Sequence, residues 1–390
     1  MHMLLKEIRL ENLLSFGPDG GILPLGSLNV LIGPNGSGKS NLIEAISLLQ
    51  SAPRVLASPV RDGGGIRDWL WKAAARPTAT LNVVVENPQG SVPLRHIISF
   101  TESAQRFELV DERVENSVAY PGHVQPYFYY RYEHNHPVLN VKGEERSLRR
   151  EDVDPEKSIL SQRKDPDQYP ELTYLGEQFD RIQIFREWVF GRYTAPRQPQ
   201  KADQRNDFLM EDCTNLGLVL NRLRREPGVK SKLLDSLNKL YVGIYDFDVS
   251  VEGGTVQTFF QEGDMVIPAT RLSDGTLRYL CLLAILCHPQ PPPLVCIEEP
   301  ELGLHPDVLP ALADLLKEAS ERTQLILTTH SDTLVDALSD NPEAVIVCEK
   351  ENGRTLMQRL SAERLSVWLE KYALGQLWRR GELGATDGER

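Results

Sequence analysis

The stretch Gly33-Pro34-Asn35-Gly36-Ser37-Gly38-Lys39-Ser40 constrains this chain more than any other. It fits G-x-x-x-x-G-K-[ST], a pattern that has meaning only between a buried strand and the start of a helix. Both flanks are present. Residues 27–32 (SLNVLI) are nearly all apolar, as a strand covered on both faces requires, and NLIEAISLLQ from Asn41 to Gln50 repeats apolar residues at helical spacing. Between them the glycines let the backbone wrap. The segment through Gly33, Asn35, Gly36, Ser37, Gly38 and Asn41 can then turn successive N–H groups toward phosphate oxygens, with the helix N-terminus adding partial positive charge. Lys39 supplies a mobile cation for the β- and γ-phosphates, and the Ser40 hydroxyl offers an oxygen to Mg²⁺. A chance match in a chain of this length arises roughly once in a hundred, so ATP with Mg²⁺ is the expected ligand pair.

Composition narrows the setting. With 390 residues, 41% hydrophobic and 25% charged, the chain has the balance of two or three packed units. No run approaches the ~18 consecutive apolar residues of a membrane helix, and the N-terminus lacks a signal-peptide pattern. A cytoplasmic protein without membrane contact is expected. Cys213, Cys281, Cys287, Cys296 and Cys348 are unclustered among apolar neighbours and read as buried thiols rather than disulfides or a metal site. A net charge of −12 argues against a protein coated in nucleic acid, although a local basic groove can sit on an acidic molecule.

Residues 3–10 read as a strand, and 80–142 as short alternating strands of an antiparallel sheet. The charge- and Pro-rich segment 143–210 reads as partly exposed rather than core, with Arg181, Arg186, Arg192 and Arg197 on a solvated face. Residues 212–242 show helical periodicity and 245–269 return to alternation. The last third has an α/β rhythm that implies a parallel sheet covered by helices, which the chain's first strands can join. Ala362 to Leu377 reads as one amphipathic helix packed on the core by Leu365, Trp368, Leu369, Tyr372 and Leu377. The expected fold class is α/β: a mixed or parallel central sheet, an antiparallel β lobe and a helical insertion. Its expected parts are 1–142, an insertion or helical arm at 143–269, and 270–390.

Three further segments carry chemistry. LVCIEEP (294–300) is a buried-type strand ending in two acids, where parallel sheets bind ligands. Alternation along a strand points Glu298 and Glu299 differently, so Glu298 can hold the Mg²⁺ water shell while Glu299 polarises the attacking water. LILTTH (325–330) ends in His330, which can hydrogen-bond the γ-phosphate or that water. An isolated acidic pair or a lone histidine would read as a solvated strand end. In LSDGT (272–276), Ser273 is placed to cap a helix, with Asp274 beside it and Gly275 leaving the backbone approachable. The order of these segments behind the glycine loop gives them weight.

In that order the residues resemble the ABC-class ATPases, in the branch containing RecF, the SMC heads and stand-alone bacterial ATPases of that type. The likeness covers roughly 1–52 and 270–350. It implies an ABC-type P-loop NTPase head with Walker A at Gly33 to Ser40, a signature turn at Ser273 and Gly275, a catalytic glutamate at Glu299 and a switch histidine at His330. It further implies a head-to-tail homodimer around two ATP molecules, each signature turn meeting the partner's γ-phosphate. Two positions depart from the pattern: Glu298 stands where Asp is usual, and His305 stands at the D-loop aspartate position. ELGLHP (301–306) nonetheless resembles the turn of RecF-like and overcoming-lysogenisation-defect ATPases, and the tail after His330 is too short for the latter's TOPRIM nuclease. Roughly 230 residues between Ser40 and Ser273 hold no long coiled coil. The Q-loop glutamine falls on Gln178 or Gln183.

The resemblance implies ATP hydrolysis coupled to DNA or to a separate effector such as a nuclease, as in DNA repair or antiviral defence. A slow or non-hydrolysing ATP sensor that scaffolds a nuclease or toxin is the alternative. The nucleotide-binding subunit of a transporter fits less well, since nothing reads as a surface for a membrane partner.

Overall fold

The structure, a computed structural model, describes residues 3–383 apart from 76, 89, 134, 135, 142, 143, 148–153 and 155. The chain divides into two compact units, one formed mainly by 2–182 and 346–360, the other mainly by 183–345 and 361–386.

The first unit carries an eight-stranded antiparallel sheet in the order Ile22–Pro24, Leu5–Glu11, Ala79–Val85, Leu94–Ser103, Arg106–Asn116, Phe128–Glu133, His136–Val141, Glu144–Ser147. Its strands alternate in burial: in Ala79–Val85 every second residue, from Ala79 to Val85, is buried. That is the pattern of a sheet with one face on a core. Leu5–Glu11 pairs here with Ala79–Val85 rather than in the parallel sheet expected for the first strands. Its LKEIRLE sequence is only half apolar and suits a sheet with one covered face. Leu28–Ile32, buried at all five positions, leads through the glycine loop into the helix Lys39–Ser51. The hairpin of Val345–Glu351 and Arg354–Arg359 returns to this unit.

Part of the Pro- and charge-rich segment is core, against expectation. Ile159, Leu160, Leu175 and Phe179 are completely buried, the last two on the helix Pro170–Asp180. Pro at its first turn starts that helix rather than breaking it.

The second unit holds three parallel strands, Gln183–Phe185, Leu294–Glu298 and Gln324–Thr328, in that order. The helices Asp274–Leu286 and Leu309–Ala319 bury eleven and six residues respectively. Gln200–Lys201, Thr255–Glu262, Ile244–Glu252 and Met265–Pro268 form a small antiparallel sheet. Gly253 and Gly254, both at positive φ, make the two-residue turn between its long strands. Helical periodicity over 212–242 resolves into Leu216–Leu223 and Val229–Leu240, interrupted at Pro227-Gly228.

The C-terminal segment is two helices, Ala362–Leu369 and Leu374–Arg379, rather than one. No residue of the first is buried, and Trp368 is 46% exposed, while Leu374 and Leu377 are buried. Within the second helix glycine is required at Gly375, because a Cβ there would collide with the carbonyl of Asp332. That approach fixes Leu374–Arg379 against Asp332–Asp336, where Gln376 N donates to Asp336 at 3.1 Å. All five cysteines are buried and free. Among the described residues no helix is long and apolar enough to cross a membrane.

Candidate functional site

In the first unit the glycine loop is built by main chain. Gly33, Gly36 and Gly38 have φ values of 147°, 76° and 96°, which L-residues rarely adopt. Two of these glycines also face packing limits. A Cβ on Gly33 would meet the Cys348 carbonyl, and one on Gly38 would meet the Thr355 hydroxyl, whereas Gly36 has nothing within 4 Å. The loop is therefore fixed at both ends and open at its middle.

A polar chain pins it. Asn41 Nδ2 donates to Ser15 Oγ at 2.6 Å, Ser15 lies 2.6 Å from Thr355 Oγ1, and Thr355 donates to the Ser37 carbonyl at 2.9 Å. Gly38 caps the helix with no side-chain bond, and no acid lies in the first turn, so the helix N-terminus turns its partial positive charge toward an anion without an acidic competitor. Lys39 is 6% exposed, and its Nζ donates to the carbonyls of Gly33 at 2.8 Å and Pro34 at 3.0 Å. Burial pushes the nearby Cys348 thiol up to about 12 against the pull of Lys39. Ser37 Oγ is buried with no protein partner, and Ser40 is exposed. An orphan hydroxyl, a helix N-terminus with no side-chain cap and a folded-back lysine in one loop fit a phosphate chain.

In the second unit the carboxylates sit at the end of a parallel strand, in a corner built by side chains. Glu298 closes the strand; its carbonyl accepts from Trp188 Nε1 at 3.0 Å, and Arg186 Nε lies 3.3 Å from its Oε1. Glu299 has already left the strand. It adopts φ 46°, and its N–H donates to the Thr328 carbonyl at 3.0 Å. Glu299 thus stands on a left-handed turn just past the strand that Glu298 closes. Such a conformation costs a non-glycine residue about 1–3 kcal/mol and persists where neighbours impose it. His330 Nε2 lies 3.5 Å from Glu299 Oε1.

Glu301 holds the histidine end in place. Its Oε1 accepts from Thr329 Oγ1 at 2.7 Å and from the His330 N–H at 2.8 Å. Ser273 caps the helix Asp274–Leu286, accepting from the Thr276 N–H at 3.1 Å. Asp274 pairs with Arg197, which also donates to the carbonyls of Leu272 at 2.5 Å and Thr270 at 3.1 Å. A Cβ on Gly275 would strike the Gly303 carbonyl, and Arg278 donates to the Leu302 carbonyl at 2.8 Å with its guanidinium 5.0 Å from the Trp188 ring centroid. Burial lowers the Arg278 pKa, while Glu301 and Glu299 push it back up. The turn at Ser273–Thr276 and the carboxylate corner are thus one packed assembly. His305 is exposed and accepts from the Asp307 N–H at 3.4 Å, a cap for the short turn that follows.

Arg186 and Arg197 do not lie on a solvated face; both are tied to this assembly, Arg197 with a side chain only 10% exposed. Sequence reading missed them as site residues, together with Trp188, Arg278, Glu301, Ser15 and Thr355. Apart from Glu301, which opens the ELGLHP turn, no local pattern marks these residues, whose partners lie far along the chain. Gln178 lies on the helix Pro170–Asp180 and Gln183 opens the edge strand. Among the described residues no cluster of three or more His, Cys, Asp or Glu could hold a metal ion by itself. A cation held by one or two protein oxygens plus phosphates fits this donor set.

The family described as "AAA domain, putative AbiEii toxin, Type IV TA system" matches residues 28–336. No protein of curated function matches the sequence. Among solved structures, an SMC head bound to the C-terminal winged-helix domain of ScpA shares 14% identity, with a TM-score of 0.59 over 93% of this chain and 99% of that one. An SMC head with an extended coiled coil from Pyrococcus furiosus, bound to the C-terminal domain of ScpA, gives 14% identity and 0.58 over 94% and 99%. One from Pyrococcus yayanosii gives 12% and 0.54 over 94% and 99%. At these identities the likeness establishes the fold, which is that of an SMC-head P-loop NTPase.

Proposed function

This chain belongs to the family of AAA domains described as putative AbiEii toxins of type IV toxin–antitoxin systems, and from that premise we propose that it binds ATP along Gly33–Asn41 and hydrolyses it with Glu299 as general base. The amides of the loop and the helix N-terminus bind phosphate oxygens, and Lys39 exchanges its own carbonyl partners for the β- and γ-phosphates. Mg²⁺, when bound, would neutralise charge on those oxygens, with Ser40 and Glu298 as its protein-side donors. Glu299 accepts a proton from the attacking water, and His330 holds that water or the γ-phosphate.

In this reading a second copy completes each site through Ser273, Asp274 and Gly275, and the closing and opening of the dimer drives a partner effector or DNA. SMC heads with a ScpA domain bound illustrate a head of this fold carrying a protein partner.

The observation that carries hydrolysis, rather than binding alone, is the backbone of Glu299. A glutamate held at φ 46° by its bond to Thr328, with its carboxylate 3.5 Å from His330, is backbone strain of the kind that clusters at active sites. A second reading, the slow ATP sensor, draws on Arg186. Its guanidinium lies beside Glu298, where it competes for the magnesium-side carboxylate.

Turnover by purified protein, alone and with linear duplex DNA, separates the two. Glu299→Gln should lower kcat by roughly 10²–10⁴ with ATP binding retained, and Lys39→Ala should lose binding. Intact binding without turnover in the unmodified chain selects the sensor. Failure to bind ATP overturns both.

A further inference from the structure

Away from the glycine loop, the first unit contains a cavity of about 140 Å³ between Tyr127 and Tyr129 at the start of the strand Phe128–Glu133, Asn140 and the start of the helix Pro170–Asp180. Tyr127, Tyr129 and Tyr169 line it together with Asp167 and Glu171, and among the described residues none that lines it is Lys or Arg. The rings of Tyr127 and Tyr129 meet edge-on at 5.1 Å, and the Tyr129 hydroxyl is fixed by donating to Asn116 at 3.0 Å. The aromatic wall is therefore rigid.

Its polar groups are acceptors in need of a donor. Asn140 Oδ1 is buried without a hydrogen-bond partner. Burial raises the pKa of Glu171, the sign of a carboxylate partly removed from water with no cation to offset the loss. Only its own backbone favours the charged form. Helix N-termini ordinarily attract anions, but this one begins at Pro170, which has no N–H, and carries Glu171 in its first turn. Tyrosine faces are negative at their centres and attract cations. The sum of two carboxylates, three rings and an orphan carbonyl selects positive charge, and the orphan carbonyl further selects a cation that bears N–H groups.

We propose that this cavity binds one guanidinium or ammonium group, carried by an arginine or lysine side chain of a partner polypeptide or by a free small cation. The site is independent of the ATP reading and is tested without nucleotide. Full-length protein with ¹³C-labelled tyrosine is titrated with methylguanidinium, with the blocked peptide acetyl-Gly-Arg-Gly-amide, with tetramethylammonium and with sodium chloride. Methylguanidinium and the peptide should shift the resonances of Tyr127, Tyr129 and Tyr169 saturably, in the millimolar range typical of a single cation–π and ion-pair contact. Tetramethylammonium, which has no N–H, should bind more weakly, and sodium chloride should give no saturable shift.

Glu171→Gln should weaken the methylguanidinium response about tenfold while the remaining tyrosine resonances keep their positions, which separates lost binding from lost folding. A peptide that binds more tightly than methylguanidinium identifies a polypeptide ligand; equal affinity identifies a free cation. Shifts spread over all twelve tyrosines, equal shifts in sodium chloride, or a Glu171→Gln variant that binds unchanged would each overturn the proposal.

Discussion

The glycine loop and the carboxylate corner solve the same problem, holding polar groups ready for a highly charged ligand, by opposite means. The loop is eight contiguous residues whose amides and φ values do the work, and its outside contacts, the Cys348 carbonyl and the Thr355 hydroxyl, press on glycine Cα atoms. The corner gathers groups from five separated stretches: Arg186 and Trp188, Arg197, Ser273 to Arg278, Glu298 to Leu302, and Thr328 to His330. Main-chain construction tolerates no added atom at its closely packed ends, Gly33 and Gly38. Side-chain construction should respond in a graded way to what each replacement can still donate or accept.

The largest expected effect lies in the loop. Gly33→Ala puts a methyl against a backbone carbonyl that cannot swing aside, at a φ of 147°. It should cost at least about 2 kcal/mol in denaturant titrations and abolish ATP binding. Gly36→Ala shares a positive φ but faces open space, so it should cost only about 1 kcal/mol. Equal losses at the two positions would mean that conformation alone, not the approach of Cys348, sets the requirement for glycine.

In the corner, Glu301 is the sharper probe. Its Oε1 accepts from both Thr329 and the His330 amide, so Glu301→Ala frees the histidine end. A loss of about ten- to a hundredfold in kcat is expected with KM for ATP little changed, because hydrogen bonds to a charged acceptor contribute about 1.5–3 kcal/mol. Glu301→Gln keeps an oxygen at the same place and should stay within about threefold of the unmodified chain. A Gln variant as impaired as Ala would show that Glu301 acts through its charge on Arg278, not by positioning His330.

The same contrast explains what the sequence made legible. Gly33 to Ser40 could be read because function, conformation and sequence order coincide in one stretch, and the parallel strands because Leu294–Ile297 and Leu325–Leu327 are uniformly apolar. The supports of the loop and of the corner could not. Thr355 reaches Ser37 across 318 residues and Trp188 reaches Glu298 across 110, and neither partner carries a local pattern. Composition misled at 143–210, where Pro and charge mark loops in general, yet a few apolar residues such as Ile159 and Phe179 suffice to bury the chain. Periodicity misled in the tail. Apolar spacing continues through Leu369 and Tyr372, but the first helix ends at Leu369, and the second, from Leu374, docks closely on Asp332 at Gly375.

The smallest predicted effect tests whether the corner is as divisible as its side-chain construction suggests. Trp188 does two jobs: its Nε1–H meets the Glu298 carbonyl, and its ring lies under Arg278. Trp188→Phe removes the first and keeps much of the second, so it should cost about 1 kcal/mol of stability and change kcat less than about threefold. Trp188→Leu removes both and should cost about a further 1 kcal/mol, the cation–π share at a partly desolvated site. If the two variants lose the same amount, the ring contributes nothing beyond its hydrogen bond, and Arg278 is held by the Leu302 carbonyl alone. If Phe loses more than Leu, the corner is a single cooperative packing unit, and the contrast with the loop fails.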